Sequence, residues 1–168
     1  MGYGVLRTNT NPPEVMLIGS LNLKKYTDHY HKISQIFQKT LQLIDEYKPQ
    51  VLAIEAPFYG NNVQSLLKLG RAQGAAISAA LFRGVPVFEY APRKIKQSIT
   101  GYGNASKEQV ALLLKKILNI EILAENLDAT DGLAAALCHC YQISTASHAA
   151  GPKSWKEFIK NNPGRIKQ

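Results

Sequence analysis

Four consecutive aliphatic residues, Val51-Leu52-Ala53-Ile54, lie between two prolines, Pro49 and Pro57. A run this short and this uniformly apolar has no polar face to give to water, so it is a strand of a sheet covered on both sides. Such sheets are buried by helices, which restricts the chain to a layered α/β architecture. The run closes on Glu55, and Pro57 cannot extend the ladder because it has no N–H to donate. A carboxylate at the end of a buried strand is costly unless something pairs with it. In open α/β sheets the chemistry gathers at the carboxyl ends of the strands, which is where Glu55 stands.

The remaining elements fit that layout. Residues 2–9 and 14–23 alternate as two strands joined by a turn at Asn11-Pro12-Pro13. From about residue 28 to residue 48, Ile33, Ile36, Phe37, Leu41, Ile44 and Tyr47 recur at helical spacing. A second helix is expected over 62–83, a short strand over 85–92, a helix ending near 118 and a last helix over 129–144. The lysine-rich stretch 93–109 reads as a connecting segment, and 146–168 as a basic, flexible tail beyond a single domain over 1–145. In that tail Trp155, Phe158 and Ile159 share one side of a possible amphipathic turn. The order is that of a hairpin followed by crossover connections.

The totals exclude several classes. A chain of 168 residues buries roughly two thirds of its unfolded surface as one domain. No apolar run approaches the ~20 residues of a membrane span, and residues 1–15 lack a secretory pattern. Two cysteines, Cys138 and Cys140, give no disulfide framework and suit a reducing, cytoplasmic setting. Twenty Lys and Arg against twelve Asp and Glu leave a formal charge of +8, which favours polyanionic partners without requiring one.

A second acidic stretch lies in NLDATDGLAAALCHCY, residues 126–141. Asp128 and Asp131 are spaced to share a helix face. Asp128 as an N-cap with Asp131 in the first turn explains both. A small, apolar helix packed closely on the sheet would equally hold both carboxylates toward Glu55, and the two readings are compatible. Three carboxylates in one pocket repel unless a cation joins them, and an all-oxygen set suits Mg²⁺ or Mn²⁺. The Cys138-His139-Cys140 triplet is no zinc site, because successive helical residues point ~100° apart. The cysteines are core fillers; His139, about two turns beyond Asp131, reads more readily as a structural histidine than as a catalytic one, while His29 and His31 read as solvated. Neither Gly-Tyr-Gly, at 2–4 or 101–103, belongs to a phosphate-cradling loop, which disfavours a small-molecule nucleotide enzyme. The glycines and alanines of 68–80 allow another backbone to approach, either the sheet or a second subunit.

Taken in order, GYGVLR, AIEAPFYGNNVQSLLKLGRAQGAAISAA, VPVFEYAPRKIKQSITGYGNASKEQV and DATDGLAAALCHC resemble the RuvC-type Holliday junction resolvases over most of residues 2–143. The resemblance implies a ribonuclease-H-like α/β fold, a mixed sheet flanked by helices. It implies a homodimeric endonuclease that resolves four-way junction DNA by paired, metal-dependent nicks in strands of like polarity. Two Mg²⁺ or Mn²⁺ ions per site are implied, as is a branch-migration motor as partner. By the same resemblance Glu55, Asp128 and Asp131 are catalytic metal ligands, and Lys96 and Lys107 face the scissile strand. Phe58 pushes into the junction centre, and Gly70, Gly74 and Ala75 lie in the dimer interface.

The start of the chain departs from the pattern. Family members carry an apolar strand ending in Asp-Pro-Gly ahead of the Gly-Tyr-Gly strand, whereas Met1 directly precedes Gly2 here. The expectation is therefore a sheet without its first, central strand and a site without its first aspartate. Two further readings stand beside the resolvase: a catalytically impaired four-way-junction DNA-binding protein, and a ribonuclease-H-like enzyme acting on RNA–DNA hybrids.

Overall fold

The computed structural model describes residues 1–58, 62–121 and 127–148. The tail with Trp155, Phe158 and Ile159 lies outside them. Strands β1 (Gly2–Arg7) and β2 (Glu14–Ser20) form an antiparallel hairpin. Helix α1 (His29–Tyr47) leads to β3 (Leu52–Glu55), and α2 (Val63–Phe82) crosses over to β4 (Val87–Tyr90), which pairs parallel with β3. Helices α3 (Pro92–Thr100), α4 (Lys107–Leu118) and α5 (Leu127–His148) follow.

Local chemistry sets most boundaries. The Asp28 carboxylate caps α1 by accepting from the His31 N–H at 2.6 Å, and Lys48 ends the helix in a left-handed conformation ahead of Pro49. A capping box opens α4, with the Ser106 hydroxyl and the Gln109 side chain each satisfying the other's backbone N–H. Helix α3 corrects the expectation of a connecting segment over 93–109. Pro92 supplies a pre-set first turn, Ile95 and Ile99 bury one side, and left-handed Gly101 stops it. Arg93 and Lys94 occupy the solvent side of a short helix and Lys96 is half-buried, so charged residues dominate the segment and it reads as polar. No helix among the described residues is long and apolar enough to cross a membrane.

The strands are sandwiched between two helical layers, and period-two alternation assigns their side chains. Ile54 packs with Ile36, Ala75 and Ala76 of α1 and α2, and Leu52 with Ile44 and Ala80. Ala53 instead joins the cluster of α3, α4 and α5 built on Leu114, Leu133 and Leu137. Each of those three leucines is fully enclosed, which contributes ~1.5–3 kcal/mol per side chain. Helix α5 lies directly on β1. A Cβ at Gly2 would overlap the Asp128 carbonyl oxygen, and one at Gly132 would come within 2.5 Å of Tyr3 Cα. The Gly-Tyr-Gly at 2–4 thus serves backbone approach rather than phosphate binding.

The sheet is divided in two. β1–β2 and β3–β4 are separate two-stranded sheets. Between them runs a cleft of about 740 Å³, bounded by Met1–Leu6 on one side and Val51–Phe58 on the other. The expected mixed sheet lacking a central strand corresponds to this divided arrangement, in which the helical layers span both halves.

Candidate active site

The parity that sends Ala53 toward α5 sends Glu55 there as well. Glu55 ends β3 opposite Tyr90 of β4, at the end of the cleft where α5 begins. Burial of the carboxyl and the negative charge of Asp131 raise its pKa above the ordinary carboxylate value, with Lys107 and Lys96 opposing the rise. Its side chain keeps solvent contact through the cleft mouth, so those surroundings desolvate the carboxyl without sealing it. Of the two carboxylates that α5 is expected to hold toward Glu55, Asp131 is the one whose charge reaches it.

Asp128 and Asp131 both lie in the first turns of α5, where the helix dipole favours negative charge. Asp128 sits inside the first turn rather than at the cap, because the helix already begins at Leu127. Asp131 accepts a hydrogen bond from Lys107 Nζ at 3.0 Å. Lys107 opens α4, a position where the dipole disfavours a cation, so the acidic pocket rather than the helix accounts for a lysine there. The Asp131 hydrogen bond first, and the charges of Asp131, Asp128 and Glu55 after it, raise the Lys107 pKa. Both partners are about half exposed, which limits the pair to ~0–1 kcal/mol of stability.

Glu55, Asp131, Lys107 and Lys96 thus feel one another at one cleft mouth, with Asp128 at the edge of the group. Among the described residues, no three acidic, histidine or cysteine side chains gather closely enough to hold a metal ion alone. The donor chemistry nonetheless fits a hard divalent cation: the acidic groups offer only oxygen, and after burial the charge of Asp131 adds to the rise in the Glu55 pKa. Glu55 and Asp131 are the residues that would hold such an ion.

The other expected residues separate. Phe58 follows β3 with 74% of its surface exposed, so it is not folded back on the core. A Cβ at Gly70 or Gly74 would meet nothing within 4 Å, so this side of α2 is open. Ala75 differs: it is buried against Ile36 within the protomer, and the helix period that leaves Gly70 and Gly74 half-buried with open space beside them turns Ala75 inward. Cys138 is a core filler, as its apolar context suggested. His139 is buried: its Nδ1 lies 2.6 Å from the Tyr90 hydroxyl, its ring packs on Phe88 at 4.5 Å, burial lowers its pKa, and its Nε2 is enclosed without a hydrogen-bond partner among the described residues. Sequence reasoning missed the Tyr90–His139 pair, since nothing local joins β4 to α5. His29 is half-buried rather than solvated, while His31 stacks on Tyr26 at the surface.

Comparison with known proteins follows the same lines. The family model described as crossover junction endodeoxyribonuclease RuvC matches residues 1–139. Crossover junction endodeoxyribonuclease RuvC of Christiangramia forsetii is 52% identical over 99% of this chain and 87% of its own length. That of Cytophaga hutchinsonii is 53% identical over 99% of this chain and 82% of its own. Among solved structures, Thermus thermophilus RuvC in complex with Holliday junction substrate superposes with a TM-score of 0.72 at 27% identity, covering 86% of this chain and 88% of that one.

Proposed function

Because the chain belongs to the RuvC family of crossover junction endodeoxyribonucleases, we propose that it resolves four-way DNA junctions by hydrolysing phosphodiesters at the Glu55–Asp131–Lys107 cluster. The family is one of divalent-metal-dependent nucleases. Paired nicks in strands of like polarity, and two ions per site, are the finer form of the reading. The observation that carries it is the convergence of Glu55, Asp131, Lys107 and Lys96 at one cleft mouth, with exposed Phe58 beside it.

Bound divalent ions supply an activated water and charge neutralisation at phosphorus. Glu55 and Asp131 provide oxygen donors from two elements that the core holds at fixed spacing, with Asp128 adding negative charge. Lys107 and Lys96 draw the DNA backbone in and offset the negative charge that develops on the phosphoryl oxygens. Lys107 changes partner in doing so, exchanging Asp131 for phosphate. Phe58 stacks on a base where the strands cross and pairing is lost. Shape and backbone charge, rather than base edges, position the junction.

A homodimer places two such sites on one junction. Leu67, Gly70, Gly74 and Leu81 form one stripe along α2; the two leucines are 55% and 60% exposed, and the glycines admit a close neighbour. Gly70 and Gly74, without Ala75, make the proposed interface. A branch-migration motor as partner rests on resemblance alone, and a cytoplasmic location on resemblance together with the cysteine usage.

One observation favours a second reading, a junction binder without catalysis: the lack of a three-acid cluster among the described residues, with Lys107 occupying Asp131. Parallel assays with Mg²⁺ on a four-way junction, a linear duplex and an RNA–DNA hybrid decide. Nicking confined to the junction supports the resolvase. Binding without nicking supports the second reading, and cleavage of the hybrid overturns both.

A further inference from the structure

A second concentration of positive charge lies apart from the acidic cleft mouth, where β2 leads into α1. Between Leu21 and Lys39 stand Lys24, Lys25, Lys32 and Lys39, against Asp28 as the one acidic residue. Among the described residues Lys24, Lys25 and Lys32 form no ion pair. Lys24 and Lys25 are exposed, and Tyr30 beside them has 74% of its surface open to solvent. The order of charge along α1 is also reversed. Lys32 stands near its start and Asp45 and Glu46 near its end, with no acid in the first turn and no base in the last. The helix dipole favours the opposite order. The helix therefore does not account for the placement of these charges, whereas a polyanion beside them does.

The segment is held in place by its own contacts. Leu21 and Leu23 pack with Ile36 and Ala76, and Lys24 N–H donates to Asn22 Oδ1 at 3.0 Å. The Tyr26 hydroxyl donates to Gln35 Oε1 at 3.0 Å, and its ring stacks on His31 at 4.6 Å. Lys25 Nζ lies 4.9 Å from the centre of the same ring. A surface ordered before binding loses less side-chain entropy on contact. Strand register puts it at the active-site end of the molecule. Ser20, which closes β2, pairs with Gly2, and Gly2 lies against the Asp128 carbonyl. Four further residues at ~3.3 Å each leave Lys24 and Lys25 within roughly 20 Å of Asp128, the length of about six base pairs.

We propose that Lys24, Lys25, Tyr30 and Lys32 form a contact site for the sugar–phosphate backbone of a duplex arm of the junction, outside the base pairs at the crossing. The lysines neutralise arm phosphates, and Tyr30 offers the backbone a hydroxyl donor; none of them reads base sequence. The inference rests on the junction reading above and extends it from the point of cleavage to the arms.

The test measures equilibrium binding of the full chain to a four-way junction over a series of salt concentrations, without divalent ions. The native chain is compared with Lys24→Ala/Lys25→Ala and with Lys115→Ala/Lys116→Ala, which removes equal charge from the last turn of α4, at the end away from Lys107. Each is repeated on a junction whose arm phosphates beyond the base pairs nearest the crossing are uncharged methylphosphonates. On the charged arms, Lys24→Ala/Lys25→Ala should bind about tenfold or more weakly at ~0.1 M salt, with the slope of log K against log salt shallower by about two. Lys115→Ala/Lys116→Ala should keep the native slope, and on the neutral arms the difference between native chain and Lys24→Ala/Lys25→Ala should disappear. A native slope in Lys24→Ala/Lys25→Ala overturns the proposal. So does an equal loss in Lys115→Ala/Lys116→Ala, which traces the effect to net charge, or a difference that persists on neutral arms, which moves the lysines to the crossing. Failure of the native chain to bind either junction removes the junction reading itself, and this site with it.

Discussion

Glu55 must ionise where burial and Asp131 both oppose it, and that conflict has a measurable sign. A carboxyl whose pKa is raised on folding keeps its proton more readily in the folded chain than in the unfolded one. Its ionised form therefore costs stability above the folded pKa, and the cost disappears as the pH falls through that value toward the unfolded one. Glu55→Gln removes the cost: its Tm should exceed that of the native chain by a few degrees at most at neutral pH, with the difference shrinking in acid. Thermal melts across that range check this, and a variant that melts lower at neutral pH contradicts the origin given for the shift. Phe58 makes no comparable demand on the fold. Phe58→Ala should leave Tm unchanged and weaken junction binding or raise the cleavage barrier by ~1–3 kcal/mol, the worth of one base–aromatic stack. Unaltered junction kinetics count against stacking.

At the scale of elements, α5 positions the site because it sits on β1 without side chains between the two backbones. Gly132→Ala places a methyl 2.5 Å from Tyr3 Cα, where only backbone can yield. It should destabilise by ~1–3 kcal/mol in chemical denaturation and slow cleavage by displacing Asp131, whereas an unchanged midpoint would show that the two elements separate freely. Elements whose signals are local were legible in the sequence: the hairpin, the extent of α1, the crossover through α2 and the strand that ends in Glu55. Helix α3 was hidden because its lysines dominate a nine-residue segment, although Pro92, Ile95, Ile99 and Gly101 mark it. The N-cap reading of Asp128 failed by the one or two residues over which helix starts are poorly marked. That Gly70 and Gly74 face outward while Ala75 faces inward depends on which side α1 covers, which composition does not state. The Tyr90–His139 hydrogen bond joins residues 49 apart and has no sequence trace.

At the scale of the whole molecule, two carboxylates reach one cleft mouth only because a parallel crossover and a helix lying on a hairpin end at the same place. Two of the chain's basic residues, Lys96 and Lys107, stand beside those carboxylates, where the proposed function has them draw in the DNA backbone. The proposed resolution in pairs requires two copies, and the open stripe of α2 is the surface proposed for their contact. Leu67→Glu should convert dimer to monomer by light scattering with stability changed by no more than ~0.5 kcal/mol, and a dimer that persists removes α2 from the interface. The central claim, that Asp131 and Glu55 act together on a DNA phosphodiester, is tested most directly by single-turnover cleavage of a four-way junction with Mg²⁺, native chain against Asp131→Asn, with junction affinity measured in parallel. The account predicts a loss of at least ~10²-fold in rate with affinity nearly unchanged. Cleavage by Asp131→Asn at the native rate would contradict it.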